Sequence, residues 1–361
     1  MNDPREIPRS DLFKGIEWLS ERVPYPVEEV RGDTFPLTWA ADGEIYLSSG
    51  DPLWGIDFPF SQDRREDPRF HGLDIEKISG APPEHRIEKV NEMLDYTGWG
   101  GAGLKPSGML SLKGVLYLAV QNLLGDKPPQ HGEKCQHGDD AFIVASRDFG
   151  KTWTPGIAEV RKNGPMFPGW KFGSPAFVQY GRDAAAPDGY VYAASNDQWD
   201  NGSEVRIGRV PQDRVLDASA WEFVAGVGPS NKPRWTRKLE DAGAVLAVDR
   251  HISLVEMVYV AEFRRYLFLT CRLHQDFSPD HGSELTVLES PEPWGPFRLV
   301  CCDDKWAVPH WAFYCPRLPL KWFDPGSREG WLLWSGSWYS GNIVDPNRPF
   351  YRAHVRKFRL K

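Results

Sequence analysis

Several acidic side chains stand at the ends of predicted strands, where general acid and base chemistry is commonly placed. Asp33 lies in RGDT just before the first predicted strand, and Asp51 lies in SGDP at the end of the next one. Glu256 lies inside the apolar run SLVEMVYV, where an unpaired carboxylate would be costly. Buried acids with perturbed pKa values are enriched at active sites. Asp33, Asp51 and Glu256 are therefore candidate site residues, and the hairpin between the first two brings them close together.

Other polar residues flank the predicted strands and are candidates for binding a polar ligand. Lys105 and Asn122 bracket the strand pair of the second repeated unit and have the chemistry to orient a polyol. Asp140 opens a strand after a polar loop, and Asp197 ends the strand GYVYAASN. We predict that these four side chains contact substrate.

Motifs for cofactors and metals are weak. The glycines at 98–103 satisfy G-x-G-x-x-G, but a proline and a strand follow where a nucleotide site needs a helix. His131, Cys135 and His137 form one cluster with no partner cluster, which is insufficient for a zinc site. Neither G-x-S-x-G nor H-E-x-x-H occurs. The sequence therefore predicts no metal and no organic cofactor.

Short apolar runs between Gly, Pro and Asp turns predict an all-β protein. They group into five repeated units, and the strands within each unit recur in the same order. Such units indicate a five-bladed β-propeller, with a β-sandwich as the alternative. Residues 31–361 are predicted to form this one domain, and residues 1–30 to pack across a face or complete a blade. Helical periodicity is weak, and its best case is the spacing of the apolar residues in 85–96. The units span residues 36–51, 107–153, 174–223, 254–297 and 314–355.

Composition excludes several classes of protein. The 361 residues include 47 aromatic residues, 16 of them Trp, together with 34 Gly and 31 Pro, which excludes disorder and long helical bundles. A net charge of -7 argues against a nucleic-acid partner. No apolar run is long enough for a membrane span, and the first residues lack the pattern of a signal peptide. Five cysteines without regular spacing favour a reducing compartment. We expect a cytoplasmic protein, or a secreted one whose leader was removed.

Two further motifs are predicted to be structural. Residues 146–153, SRDFGKTW, match the Asp-box pattern S-x-D-x-G-x-x-W, in which Ser and Asp bond nearby backbone and Trp packs beneath the turn. Asp-boxes mark hairpins in propeller-like proteins that often act on glycans. Residues 291–297, PEPWGPF, break a strand at a blade edge, with Trp294 as packing.

An ordered set of motifs from about residue 30 to 340 resembles the DUF4185 family. This family is related to five-bladed propellers and includes the D-arabinan-cleaving enzymes of glycoside hydrolase family 183. The resemblance implies a propeller with a carbohydrate in its central funnel and Asp33 and Asp51 as the catalytic pair. Where family members often continue GDG-x-G-F, this chain has Asp51 followed by PLWG. The motifs lie at 32–51, 104–122, 172–181, 188–197, 207–226, 233–236, 263–268, 291–297 and 318–322.

This resemblance predicts a glycosidase in carbohydrate metabolism that hydrolyses arabinan-like glycans with two carboxylates. Trp39, Trp54 and Trp170 then offer flat faces for sugar stacking, and Glu256 is a further substrate-binding candidate. A polysaccharide lyase is one alternative, and it would use a proton-abstracting group such as His251, Tyr314 or Arg317 in place of two acids. A non-catalytic sugar-binding propeller is the other. The predicted partner is an oligo- or polysaccharide, with neither nucleic acid nor membrane.

Overall fold

The computed structural model describes residues 1–20, 23–24, 30–52, 71–97, 103–124, 138–273, 283–304, 306, 313–336 and 352–361. Five antiparallel sheets form a five-bladed β-propeller, which confirms the predicted fold class. Two strands precede the first blade, β1 (Ile16–Trp18) and β2 (Val23–Pro24). Blade one contains β3 (Leu37–Trp39), β4 (Ile45–Gly50), β5 (Leu73–Ser79) and β6 (Arg86–Asn91). Blade two contains β7 (Lys105–Leu112), β8 (Val115–Gln121), β9 (Asp140–Ser146) and β10 (Phe167–Pro168).

Blade three is the largest. It contains β11 (Pro175–Phe177), β12 (Tyr190–Asn196), β13 (Gly202–Pro211), β14 (Glu222–Val227), β15 (Pro233–Thr236) and β16 (Leu246–Ile252). Blade four contains β17 (Glu256–Val260), β18 (Arg265–Leu273), β19 (Ser283–Ser290) and β20 (Arg298–Asp303). Blade five contains β21 (Tyr314–Arg317), β22 (Glu329–Ser335) and β23 (Ala353–Leu360). Short 3₁₀ turns cover Pro4–Glu6, Trp170–Phe172, Ala218–Ala220, Leu239–Asp241 and Leu320–Trp322.

The first strands of the five blades form the inner ring. Strand β7 contacts β3 and β11, β11 contacts β17, and β17 contacts β21. Inner strands of a propeller run in the same direction, so their first residues gather at one end of the ring, here called the site end. The five repeated units of the sequence each begin within two residues of an observed inner strand.

Both ends of the described chain contribute to blade five. Strand β1 pairs with β23 in antiparallel register, with Ile16 opposite Leu360. The Lys361 amide also donates to Gly15 O at 2.9 Å, which extends this pairing. Residues 16–18 therefore form an edge strand of the blade-five sheet.

The helix-like spacing of 85–96 does not correspond to a helix. Arg86–Asn91 forms β6, the outer strand of blade one, and Ile78 of β5 lies opposite Ile87. The register shifts by one residue at Val90, so Ile87 and Val90 both turn towards neighbouring apolar residues. A bulge of this kind imitates helical spacing within a strand. Leu94, counted as part of the helical face, is 59% exposed in the turn that follows.

The described residues contain a single α-helix, α1 (Ile157–Asn163), and none of their helices is long and apolar enough to cross a membrane.

Near α1, the 146–153 hairpin is held by its own polar side chains. The Gly150 amide donates to Ser146 Oγ at 2.8 Å, and the Thr152 amide donates to Asp148 Oδ1 at 2.9 Å. At the other predicted structural motif, Trp294 packs against Trp235 with 5.8 Å between ring centroids. Both segments serve packing between and within blades.

Candidate active site

Two acidic side chains and one basic side chain lie together at the site end of the inner ring. Lys105, the first residue of β7, forms an ion pair with Asp51 Oδ2 and lies 3.9 Å from Asp33 Oδ1. The exposure of each of the three residues is 5% or less. Buried ions of opposite charge stabilise one another only when they are paired this closely. The sequence-predicted residues Asp33, Asp51 and Lys105 therefore form one compact charged centre.

The backbone around Asp33 and Asp51 is held in an unusual shape. Asp33 and Gly50 exchange two backbone hydrogen bonds, at 2.9 and 2.8 Å. Thr34, Phe35 and Asp51 all have positive φ angles, of 64°, 40° and 46°. For a β-branched Thr this conformation is strained, and such strain concentrates at functional sites. A Cβ at Gly50 would lie 2.5 Å from Asp33 Oδ1, so only glycine fits beside this carboxylate.

Tyr314 reaches the same centre from blade five. Its hydroxyl donates a hydrogen bond of 2.9 Å to Asp33 Oδ2. Burial, together with the neighbouring Asp33 charge, raises the pKa of the Tyr314 phenol well above its ordinary value. The phenol therefore keeps its proton at neutral pH and uses it to donate a hydrogen bond to the carboxylate of Asp33.

Glu256 supports the centre through Arg317. The fully buried Arg317 donates from Nη1 to Glu256 Oε2 at 3.1 Å and from Nε to Thr34 O at 2.8 Å. Burial raises the pKa of Glu256 to about 7, and the Arg317 charge opposes that rise. Since Thr34 follows Asp33 directly, this ion pair from blades four and five fixes the segment that carries the acid. Glu256 is a predicted substrate-binding residue, and the structure pairs its Oε2 atom with Arg317.

A third carboxyl group, Asp200, was not selected from the sequence. It lies in the connection between β12 and β13 and is nine-tenths buried. Burial raises the pKa of Asp200 to about 7, with a further rise from the Asp33 charge and an opposing effect of Lys105. The neighbouring Trp199 places its ring 5.7 Å from Lys105 Nζ. The signal available in the sequence was the polar and aromatic run DQWDN directly after a buried strand.

Two of the other predicted polar ligands, Asp197 and Asp140, accept hydrogen bonds from backbone amides of nearby loops. Asp197 Oδ1 accepts the amides of Ser203 and Glu204, at 2.9 and 3.0 Å. Asp140 accepts the amides of Leu123 and Leu124, at 2.7 and 3.1 Å. Asn122, at the end of β8, is buried with a φ of 65°. These residues lie at the site end, where they shape the loops around the charged centre.

The predicted tryptophan platforms lie in different places. Trp39 ends β3, at the opposite end of the ring from Asp33, and its indole N–H donates to Gly43 O at 3.1 Å. Trp170 lies before β11 at the site end, 42% exposed, with the Arg206 guanidinium 4.6 Å from its ring centre. Trp54 lies outside the described residues, as do His131, Cys135 and His137. The structure thus brings Trp170, but not Trp39, to the end that carries the acids.

The described residues hold no group of three or more His, Cys, Asp or Glu side chains arranged to bind a metal ion. In the charged centre, the ammonium of Lys105 occupies the place between Asp33 and Asp51 that a cation would take. What these residues can do chemically is accept, donate and stabilise charge on a bound molecule.

Five blades around an axis, with buried carboxyl groups where the inner strands begin, define a β-propeller with an acid-lined centre. The model of the family described as "Domain of unknown function (DUF4185)" matches residues 10–297, and the chain belongs to this family. No curated protein matches the chain at a significant level.

Solved structures share the fold at low sequence identity. A putative hydrolase from Bacteroides ovatus is 12% identical, with 99% of this chain and 97% of that chain covered and a TM-score of 0.57. A protein of unknown function from Dyadobacter fermentans is also 12% identical, covering 96% and 100% with a TM-score of 0.52. An α-L-arabinofuranosidase from Podospora anserina, solved with cellotriose, is 10% identical, covering 99% and 95% with a TM-score of 0.49. At such identities the likeness concerns the fold alone.

Proposed function

We propose that this protein is a glycoside hydrolase that cleaves a neutral, arabinan-like glycan at the site end of the propeller. The observation that carries the proposal is the pair of buried carboxylates, Asp33 and Asp51, which share the ammonium of Lys105. Glycosidic cleavage passes through an oxocarbenium-like state that carboxylates stabilise. The family resemblance to enzymes that cut D-arabinan supports the substrate class.

In this proposal, Asp33 and Asp51 share the work on the sugar ring. Asp33 accepts the Tyr314 hydrogen bond through Oδ2, which leaves Oδ1 on the side of Lys105 and Asp51. Asp33 acts on the anomeric carbon directly or through a water molecule, and Asp51 stabilises the positive charge that develops on the ring. The Lys105 ammonium supplies the positive charge that both groups face.

The surroundings of the proton-abstracting candidates disfavour a lyase. Tyr314 donates to Asp33 and keeps its proton, which a general base must lack. His251 lies on β16 of blade three, and its Nε2 atom is engaged 3.1 Å from Arg272 Nη1 of blade four. Arg317 is fully buried and committed to three oxygen atoms. The acidic centre would also repel the carboxylate of a uronic acid.

The test is hydrolysis of a panel of arabinans, arabinogalactan and xylans by the full chain, with release of reducing ends measured. We expect Asp33→Asn and Asp51→Asn to lower kcat/KM by about 10²–10⁴-fold. Asp217→Asn, at an exposed turn of blade three, is the matched control and should leave kcat/KM unchanged. Wild-type activity in both site variants would overturn the assignment. An unsaturated product would identify a lyase, and binding without turnover would identify a sugar-binding protein.

A further inference from the structure

We infer that Asp200 is the proton donor of the reaction, the group that protonates the leaving oxygen of the scissile bond. This inference rests on the proposed glycoside hydrolase function and assigns a role to a residue that no sequence motif singled out. Its basis is the division of charge and hydrogen bonds among the three carboxyl groups of the site.

Neither Asp33 nor Asp51 is placed to supply a proton. Asp51 forms an ion pair with Lys105, and Asp33 accepts a hydrogen bond from Tyr314 while lying 3.9 Å from the same ammonium. In each of these contacts the carboxyl group faces a hydrogen-bond donor or a positive charge. Hydrolysis still requires an acid on the leaving-group side, because a sugar alkoxide is a poor leaving group. A third group must carry that proton.

Asp200 has the opposite surroundings. Within the described chain, no hydrogen bond or ion pair reaches its side chain, although it is nine-tenths buried. The electrostatic neighbours that sense its charge come from four blades, which places the carboxyl group near the axis of the ring. They are Asp33, Lys105, Cys271, Tyr314 and Cys315. Burial raises its pKa to about 7, so a large share of Asp200 is protonated at neutral pH.

The backbone of this loop is fixed on both sides of Asp200. The Asn201 amide donates to Ser253 Oγ at 3.0 Å, and its side chain exchanges two hydrogen bonds with the backbone of Leu273, at 2.7 and 2.8 Å. Asn201 adopts a φ of 49°, a conformation these bonds hold in place. On the other side, Trp199 is 4% exposed and lies over Lys105. The acid is thus held in one position, as an efficient proton donor must be.

The proton of the Asp200 carboxyl group moves to the glycosidic oxygen while the bond from that oxygen to the anomeric carbon breaks, and its electron pair stays on the oxygen. A water oxygen bonds to the anomeric carbon, either directly or by displacing the Asp33 carboxylate that first bonded there, and the water proton passes to a carboxylate of the site. Exchange with solvent returns a proton to Asp200. Net, one water is consumed and one glycosidic bond is cleaved.

The experiment compares leaving groups in wild type and Asp200→Asn. The probes are the glycan that wild type cleaves and the matching 2,4-dinitrophenyl arabinofuranoside, whose leaving group needs no proton. We expect Asp200→Asn to lower kcat/KM on the glycan by about 10²–10⁴-fold and on the dinitrophenyl glycoside by less than about tenfold. Asp33→Asn should reduce both.

A second measurement needs no variant. In wild type, activity on the glycan should fall as pH rises above about 7, because Asp200 then loses its proton. Activity on the dinitrophenyl glycoside should lack this fall. Equal losses on both probes in Asp200→Asn, or the same basic limb with both probes, would overturn the role of Asp200 alone. A wild type that cleaves neither probe would overturn the proposed function and this inference with it.

Discussion

The hydroxyl of Tyr314 donates a hydrogen bond of 2.9 Å to Asp33 Oδ2 across 281 residues of sequence. Tyr314 opens the inner strand of blade five, and Asp33 precedes the inner strand of blade one. The bond therefore crosses the seam at which the ring closes. Integrity of the ring and the surroundings of the proposed catalytic carboxylate are linked through this contact.

Replacing Tyr314 by Phe should separate these two effects. The variant loses a hydrogen bond to a charged group, worth about 1.5–3 kcal/mol, so we expect kcat/KM to fall by about 10–100-fold. Tyr180→Phe is the control, since its hydroxyl lies 3.1 Å from that of Tyr266, away from the acids. Steady-state kinetics and urea unfolding of both variants are the measurements. An equal loss of activity in the control would contradict a specific role for Tyr314.

Removal of the Lys105 ammonium should be severe. Lys105→Met leaves Asp51 buried without its ion-pair partner, and breaking a buried pair costs about 3–5 kcal/mol. Lys77→Met is the matched control, because Lys77 pairs with the 67%-exposed Glu88 at 2.7 Å and such pairs contribute at most about 1 kcal/mol. Urea unfolding at pH 8 and pH 5 measures both. The loss in free energy of unfolding for Lys105→Met should be smaller at pH 5, where carboxylates left without their ion-pair partner can take up protons. Equal losses of stability in the two variants would refute the buried ion pair.

Stability should fall as pH rises, owing to Glu76 on β5. Glu76 is fully buried, and burial followed by the Asp74 charge raises its pKa to about 8. Between its ordinary pKa of 4.5 and about pH 8, the unfolded chain has lost this proton while the native state keeps it. The free energy of unfolding therefore decreases through this window.

Glu76→Gln tests that dependence. The amide stays neutral at every pH, so at pH 8 the variant should exceed wild type in stability by at least about 1 kcal/mol, with little difference at pH 5. Glu88→Gln, on the exposed face of β6, should show no such pH-dependent gain. The measurement is urea unfolding at pH 5, 6.5 and 8. A wild type whose stability rises over this range, with no change in the variant, would show that Glu76 is ionised in the native state.

Gly72 should tolerate no side chain. A Cβ there would overlap the carbonyl oxygen of Leu104, and the Gly72 carbonyl accepts the amide of Asp51 at 2.9 Å. We expect Gly72→Ala to lower stability by about 1–3 kcal/mol and to reduce activity, because Asp51 shifts with its backbone partner. Gly156→Ala is the control, with no heavy atom within 4 Å of the added Cβ. Thermal unfolding compares them, and equal melting temperatures would contradict the close approach.

The sequence was informative where local pattern determines the outcome. Turn residues and apolar runs located the start of every inner strand, and with them Asp33, Asp51 and Lys105. The sequence was not informative for residues whose surroundings are set by side chains from other blades. In the sequence Asp200 is not distinguishable from other loop aspartates, because its neighbours come from four different blades of the folded chain. Trp39 was predicted at the end of the ring that carries the acids. The sequence did not show at which end of the three-residue strand β3 its side chain lies.

The pairing of β1 with β23 has a consequence for how the protein is made. Ile16–Trp18 leave the ribosome early, yet their partner strand, Ala353–Leu360, is translated more than three hundred residues later. Until then the ring stays open, and Asp33 faces no neighbouring blade on the side of Tyr314. Contacts this distant in sequence form slowly. A growing chain therefore completes the Tyr314 contact to its acid centre only after blade five has been translated, so products truncated before blade five would lack this hydrogen bond.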